Sequence, residues 1–512
     1  MANALIRGLA CTLASSLVAC TSSNDTPNAI DASVVGDTAT TDVDQEIGDE
    51  TSIDAGLPMS FIVDGQGRAM IFHGMNVMGA SKNTPDRLPP FAASDAARIA
   101  GWGMNFARYL VLWDAIEPTE GTYDDVYLGK VRGMLDLLGA QGISVMIDFH
   151  QDVYAQKFCC DGAPAWAIHD DGQPFTLQTS TWSSNYFQPA VTRAFDNFWS
   201  YSTAQKELQD HYVAMIAHVA KVLGDHPAVI GYDVINEPYP GTPFDLAEAL
   251  LGRDEDDGGP DSIFDRGLFA DFYNRAIASI RSVDSDHYIF LEPRFGAPAN
   301  GSPSWMPQFT DPRSGEARIV VAPHLYSVAA ESSDHYDVDD PTISRWETQR
   351  RVDVGRTGEP LLIGEFGFDY TMPRGPQYMD DVMSMADRMM IGWSYWAYDP
   401  NGTWSPWNST TGADNPNVGQ MTRAFPRRTA GTPTSWSYDA TAPTFDLAFT
   451  DRAGVTGPTE IWLPASVFPI GATVTGSDDA ATVTTTFDAT KHVQLVTTPN
   501  TGGAHSLHLA RK

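Results

Sequence analysis

Eight short apolar segments, each running into polar residues and separated by stretches of helical period, constrain this chain more than any other feature. They read "IFHGMNV", "MNFARYLVLW", "ISVMIDFH", "AVIGYDVINE", "HYIFLEP", "RIVVAPHLY", "PLLIGEF" and "IGWSYW". Between them lie patterns such as "DVYLGKVRGMLDLLGAQG" and "QKELQDHYVAMIAHVAKVLG". Eight β/α alternations predict an α/β fold, a (β/α)8 TIM barrel over residues 58–415 with loop insertions. Ahead of the first segment, "FIVDGQGRAMIF" reads as a hairpin turning at "DGQG".

The third segment shows where the polar ends point. Neighbouring residues of a strand face opposite sides. Ile143, Val145, Ile147 and Phe149 suit packing against outer helices, whereas Ser144, Met146, Asp148 and His150 face the barrel axis. His150 closes the segment at the C-terminal rim, where barrel enzymes hold their chemistry. The run "DFHQDVY" is therefore a catalytic rim and not a core.

The flanks differ in character. Residues 1–20 join a charged start, "MANALIR", to the apolar "GLACTLASSLVA" and then Cys20. This is the pattern of a targeting segment. "LVAC" resembles the lipobox of bacterial lipoproteins, which implies a lipidated Cys20 and a cell-surface protein; ordinary secretion is the alternative. Residues 21–57 hold nine Asp or Glu and no Lys or Arg, too polar to bury a core, and read as a disordered acidic linker. Residues 425–512 carry Thr- and Val-rich segments ("TFDLAFT", "TEIWLP", "TVTTTFD", "HVQLVTT"), the mark of a small β-sandwich. A net charge of −33 argues against nucleic acid as a partner. No internal stretch approaches the roughly 20 apolar residues of a membrane span. Cys159 and Cys160 are adjacent and can form a vicinal disulfide or stay reduced.

Two glutamates close strands. Glu237 ends the fourth in "DVINEPYPG" and Glu365 the seventh in "PLLIGEFGF". A lone glutamate at such a place is most often a cap or a salt-bridged rim residue. Two, projected across one rim, are what glycosidic cleavage requires: one as acid, one as nucleophile or base.

"NEP" after the fourth strand and "GEFG" after the seventh resemble the cellulase-like glycoside hydrolases of family five, retaining enzymes on a (β/α)8 barrel. That resemblance implies Glu237 as acid/base and Glu365 as nucleophile. It implies Arg108 and Tyr326 as partners that keep Glu365 ionised, and His150 and His324 as rim residues. Asn236 would bind the sugar 2-hydroxyl, and Trp396 would stack on a sugar ring. Further, "DFHQDVY", "FCCDGAPAW" and "GMNVMGASK" together with the C-terminal sandwich resemble the endoglycoceramidase branch. By that resemblance Lys82 and Asp152 bind sugar hydroxyls; a solvated loop lysine is the other reading of Lys82.

The function so implied is a retaining endo-β-glycosidase acting on glycosphingolipids at a membrane or micelle surface, releasing intact glycan and ceramide. Related barrels leave open an endo-galactosylceramidase, a sterol glucosidase or a β-glucanase. A reading of another class, a non-catalytic glycolipid-binding surface protein, has no use for the acid/nucleophile pair. Neither metal nor cofactor is expected, because retaining hydrolysis needs none and the rim histidines lack ligand spacing. A monomer is expected. In a retaining site the Glu237 and Glu365 carboxyl groups lie about 5–5.5 Å apart.

Overall fold

The computed structural model describes residues 60–179, 182–201, 205–243, 260–327, 330 and 335–512. The targeting segment, Cys20 and the whole of the 21–57 linker lie outside the described residues.

Each of the eight apolar segments contains a strand. These are β3 (His73–Val77), β4 (Phe106–Leu112), β5 (Ser144–His150), β6 (Val229–Asp233), β7 (Tyr288–Leu291), β8 (Ile319–Val321), β9 (Leu362–Phe366) and β10 (Gly392–Tyr395). They form one parallel sheet in the order β8-β7-β6-β5-β4-β3-β10-β9. Bridges from Val321 to Leu361 and from Leu325 to Phe366 join its two ends, so the sheet closes into a barrel. Phe106, Met146, Phe290, Val320 and Leu362 fill the lower interior. On the other parity Val145, Ile147 and Phe149 join the larger core beneath the helices, as the alternation of the third segment requires.

Both quoted helical stretches are helices. The first, α1 (Asp125–Gly139), begins at Asp124, whose carboxylate accepts the backbone N–H groups of Val126 and Tyr127 at 2.9 Å. That cap satisfies two otherwise unpaired donors. Leu128, Val131, Leu135 and Leu138 recur at helical spacing and are buried. The second, α2 (Glu207–Leu223), buries Met215, Ile216, Val219 and Leu223 in the same way.

The hairpin at the start, β1 (Ile62–Val63) and β2 (Ala69–Met70), is antiparallel, with Ile62 opposite Met70. The C-terminal strands are β11 (Phe425–Thr429), β12 (Thr432–Asp439), β13 (Thr444–Thr450), β14 (Thr459–Trp462), β15 (Ala472–Gly476), β16 (Thr484–Asp488), β17 (Val493–Thr497) and β18 (Ala504–Arg511). They make two sheets, β1-β2-β11-β14-β17-β16 and β12-β13-β18-β15. Trp436, Phe445, Phe449 and Leu509 from one sheet and Phe425, Ile461, Trp462 and Val496 from the other share a core, which is the packing of a sandwich. The N-terminal hairpin thus belongs to the C-terminal sheet, because β2 pairs with β11.

This sandwich seals the base of the barrel. The ring of His73, the first residue of β3, lies between Trp393 (4.4 Å) and Phe425 (3.7 Å). Burial, together with Arg423 and Arg427, pushes its pKa well down, so it packs as a neutral ring. Arg427 donates to the Gly103 carbonyl at 3.2 Å. Gly103 itself has φ of +92°, and a Cβ there would lie 2.6 Å from the Trp462 ring.

Gly103→Ala is therefore expected to lower stability by about 1–3 kcal/mol, from overpacking and a strained backbone together. Trp462→Ala is expected to cost about 3–5 kcal/mol through the cavity it leaves. Both are read as loss of melting temperature, with specific activity of the folded fraction retained; unchanged melting would show that the sandwich does not brace the barrel.

Candidate active site

The site is built around Arg108. As the third residue of β4 it points into the barrel, and it is fully buried. Its Nε donates to Asp233 (2.9 Å). Nη1 donates to Asn76 (3.1 Å) and Glu365 (2.5 Å). Nη2 donates to Asn236 (2.9 Å) and Glu292 (2.7 Å), and lies 3.0 Å from Asp148. Burial opposes a charge on the guanidinium, but Asp148, Asp233, Glu365 and Glu292 outweigh it and raise its pKa well above the ordinary value. Asp233 lies in a crowd of carboxyl groups. Burial and Glu292 push its pKa well above the ordinary carboxylate value, against the pull of Arg108.

The two glutamates are held differently. Glu365, on β9, accepts from Arg108 at one oxygen and from the Tyr326 hydroxyl (3.0 Å) at the other. Glu237 lies four residues beyond β6, with its backbone in the left-handed region at φ +42°. Two neighbours fix that backbone. Its N–H donates to Glu292 (2.9 Å), while Gln151 Nε2 donates to its carbonyl (3.1 Å) and to that of Asn236 (2.9 Å). Its carboxyl faces His324 Nδ1 at 2.9 Å. Burial raises the Glu237 pKa; His324 pulls it back, Glu365 and Asp152 push it up, and the net direction is upward. One oxygen of Glu237, one ring nitrogen of His324 and one oxygen of Glu365 lie within 4.8 Å of one another. That is the close spacing of a retaining pair.

Beside this pair lies a polar wall. His150 Nδ1 is 2.7 Å from Asp148, and its Nε2 is 3.5 Å from both Asp152 and the Asn236 amide. Its ring stacks with that of Trp396 (5.5 Å, 12°). The Lys82 ammonium donates to Asp152 and sits 4.3 Å from the centre of the Trp396 ring. Burial would lower the Lys82 pKa, yet Asp152 and Asp161 hold it well above the ordinary value. Asp161 is buried beneath, its pKa raised to about 6 by burial despite Lys82. Its backbone pairs with that of Asp152. Just before it, Cys159 and Cys160 form a disulfide.

All ten residues singled out in the sequence, Lys82, Arg108, His150, Asp152, Asn236, Glu237, His324, Tyr326, Glu365 and Trp396, converge at this end of the barrel. Lys82 is an engaged site residue and not a solvated loop lysine. The sequence reading did not reach Asn76, Gln151, Asp161, Asp233 or Glu292. Glu292 follows β7 in "HYIFLEP", and its place after a strand was the available signal. Of the loop aromatics, Trp166 and Phe309 pack into the core, while Trp182 and Phe187 are exposed.

Among the described residues two clusters bring three ligand-type groups together: His150, Asp152 and Asp161, and Glu237, His324 and Glu365. In the first the Lys82 ammonium already holds Asp152. In the second the His324 pKa is raised well above the ordinary value, burial notwithstanding, by Glu292 and Glu365.

Two carboxyl groups so close, one bound by permanent donors and one pushed toward its acid form, can together protonate a leaving oxygen and attack the carbon it leaves. On a closed parallel barrel that combination defines a glycoside hydrolase. The chain belongs to glycosyl hydrolase family 5: the family's cellulase domain matches residues 63–402, and the family 5 C-terminal domain matches 423–509. It is 27% identical over 475 residues to endoglycoceramidase I of Rhodococcus hoagii (strain 103S), covering 86% of this chain and 88% of that one. It is 24% identical over 432 residues to an endoglycoceramidase of Hydra vulgaris, covering 76% of each. The solved structure of endo-glycoceramidase II from Rhodococcus sp. in complex with ganglioside GM3 superposes with a TM-score of 0.80 at 33% identity, covering 89% of this chain and all of the other.

The wall makes stability depend on pH. Burial and Lys82 oppose a charge on His150, but Asp148 and Asp152 outweigh them and raise its pKa to about 9. A raised pKa stabilises the fold fully below the unfolded value of about 6.5, and the stabilisation is lost as pH rises through 9. Up to about 3 kcal/mol is involved. The melting temperature is expected to fall between pH 6.5 and 9 and to do so less steeply in Asp148→Asn, itself less stable throughout. Equal slopes would exclude the His150–Asp148 pair as the source.

Proposed function

We propose that this protein is a retaining endo-β-glycosidase that cuts the bond between the glycan of a glycosphingolipid and its ceramide, releasing both intact. The observation that carries the chemistry is the unequal holding of the two glutamates. Glu365, gripped by Arg108 and Tyr326, is the nucleophile. Glu237, raised by burial, starts as the acid and becomes the base for the second step. The glycolipid substrate is supported by the relatives named endoglycoceramidase and by the GM3 complex of the Rhodococcus enzyme.

Lys82, His150, Asp152 and Asn236 form the sugar-binding wall in this reading, and Trp396 stacks on a ring. Leu177, Trp182 and Phe187, exposed on the long segment that follows β5, offer apolar surface to the lipid side. Export and lipidation at Cys20 belong to the same proposal, supported by "LVAC" and the acidic stretch behind it.

Glu365→Gln is expected to abolish turnover of every substrate, since no glycosyl-enzyme can form. Glu237→Gln is expected to lose about 10²–10⁴-fold on glycolipid, to keep most of its first step with an activated leaving group, and to be partly rescued by azide. Azide rescue of the Glu365 variant alone would reverse the roles.

The substrate is tested by comparing lactosylceramide, a water-soluble lactoside and a cello-oligosaccharide. Apolar burial stabilises binding by about 25 cal/mol per Å², so loss of the ceramide is expected to reduce kcat/KM far more than loss of an outer sugar. Efficient cleavage of the cello-oligosaccharide without ceramide release would reject the glycolipid reading and leave the barrel chemistry standing.

A further inference from the structure

Glu292 takes no place in the bond-breaking pair, yet it touches every part of the machinery on the acid side. It follows β7 directly and is buried. One oxygen accepts from Arg108 Nη2 (2.7 Å) and lies 3.0 Å from His324 Nε2. The other accepts the backbone N–H of Glu237 (2.9 Å). The opposite nitrogen of His324, Nδ1, meets the Glu237 carboxyl at 2.9 Å and stands 3.6 Å from Glu365. One carboxyl group thus reaches the acid/base residue by two routes, through its main chain and through the imidazole.

We propose that Glu292 is a positioning residue that keeps His324 as an imidazolium, so that His324 donates to Glu237 throughout the reaction cycle. The inference rests on Glu237 being the acid/base. When Glu237 gives the proton on its outer oxygen to the departing glycosidic oxygen, that oxygen leaves with the electron pair of the broken C–O bond. Glu237 becomes a carboxylate in a buried site, and the Nδ1–H of an imidazolium answers the new charge. A neutral ring whose only proton faces Glu292 would instead turn a lone pair toward it. In the second step Glu237 takes a proton from the attacking water, and His324 again keeps both of its own. The same carboxylate of Glu292 holds the Glu237 backbone at positive φ, a conformation that is unfavourable for a residue with a side chain.

The charges around this relay fit. His324 is faced by Glu237 and Glu365 at one nitrogen and by Glu292 at the other. Glu292 is faced by Arg108 and by Asp233, with Tyr212 and Tyr273 behind it. Burial would raise Glu292, but His324 and Arg108 draw its pKa down, while burial and Glu292 push that of Asp233 up. Glu292 is therefore the anion of the group, and His324 the cation it sustains.

The test combines pH profiles with ring nitrogen spectroscopy on the full chain. In the wild type, ¹⁵N signals assigned to His324 with the help of His324→Asn are expected to show both nitrogens protonated at pH 8. In Glu292→Gln the ring is expected to be neutral at that pH. The alkaline limb of kcat/KM, which reports the Glu237 proton, is expected to shift by about 1–3 pH units, the effect of a changed charge beside that carboxyl group. Glu292→Asp, which keeps the charge, is expected to lower kcat while leaving that limb in place. A neutral His324 in the wild type at pH 8 overturns the proposal, as does a limb that is unmoved in Glu292→Gln or that moves equally in both variants. If Glu292→Gln does not fold, the wild-type ring signal and the Asp variant still decide. The ring signal is read without substrate, so it stands apart from the acid/base assignment, which fails if Glu237→Gln retains full activity on glycolipid or if azide rescues the Glu365 variant alone.

Discussion

One buried guanidinium organises this enzyme. Taking Arg108 out of water costs several kcal/mol unless its donors are matched, and the barrel matches them with side chains from different strands. Asp148 comes from β5, Asp233 from β6 and Glu365 from β9. Glu292 follows β7, and Asn76 comes from β3. Each contact requires its strand to be in the right register, so the charge network and the closure of the barrel specify one another. Removing a single partner from such a network costs about 3–5 kcal/mol, because an uncompensated charge is left behind.

A crowd of carboxyl groups around one cation cannot all ionise, and the site uses that. The pKa values of Asp233 and His324 are pushed well above their ordinary values, and that of Glu237 is pushed upward. Glu365, between Arg108 and Tyr326, is bound by donors that do not titrate near neutral pH. Two glutamates of identical chemistry are thereby set to different tasks by their surroundings.

The barrel was legible in the sequence because its signals are local. Eight apolar runs with polar ends, and helical stretches between them, need no knowledge of distant residues. The pair Glu237 and Glu365 was legible for the same reason: both close strands, in motifs that resemble family five. Glu292 closes a strand as well, yet a lone glutamate there reads as a rim residue until Arg108, His324 and the Glu237 N–H are seen to converge on it. Asn76 and Asp161 were missed likewise, since their value lies in partners far along the chain. The state of Cys159 and Cys160 was open in the sequence and is a disulfide in the fold. Of the C-terminal strands β12 lacks a clean apolar alternation: Pro433 and Trp436 are buried, Thr434, Ser435 and Ser437 are exposed, and the register shifts between Pro433 and Ser435.

The pairing of β2 with β11 has a consequence for how such a chain is made. Residues translated among the first of the fold find their sheet partner only after every barrel strand has been synthesised. Until then the hairpin is an open edge, and the floor of the barrel at His73 has no cover from Phe425. Contacts between such distant residues form slowly. A nascent chain halted before β11 would display both an unpaired strand and an exposed apolar base, the two surfaces that most readily recruit other chains. Completion of the fold is thus a clasp that closes last, from the far end of the polypeptide back onto its beginning.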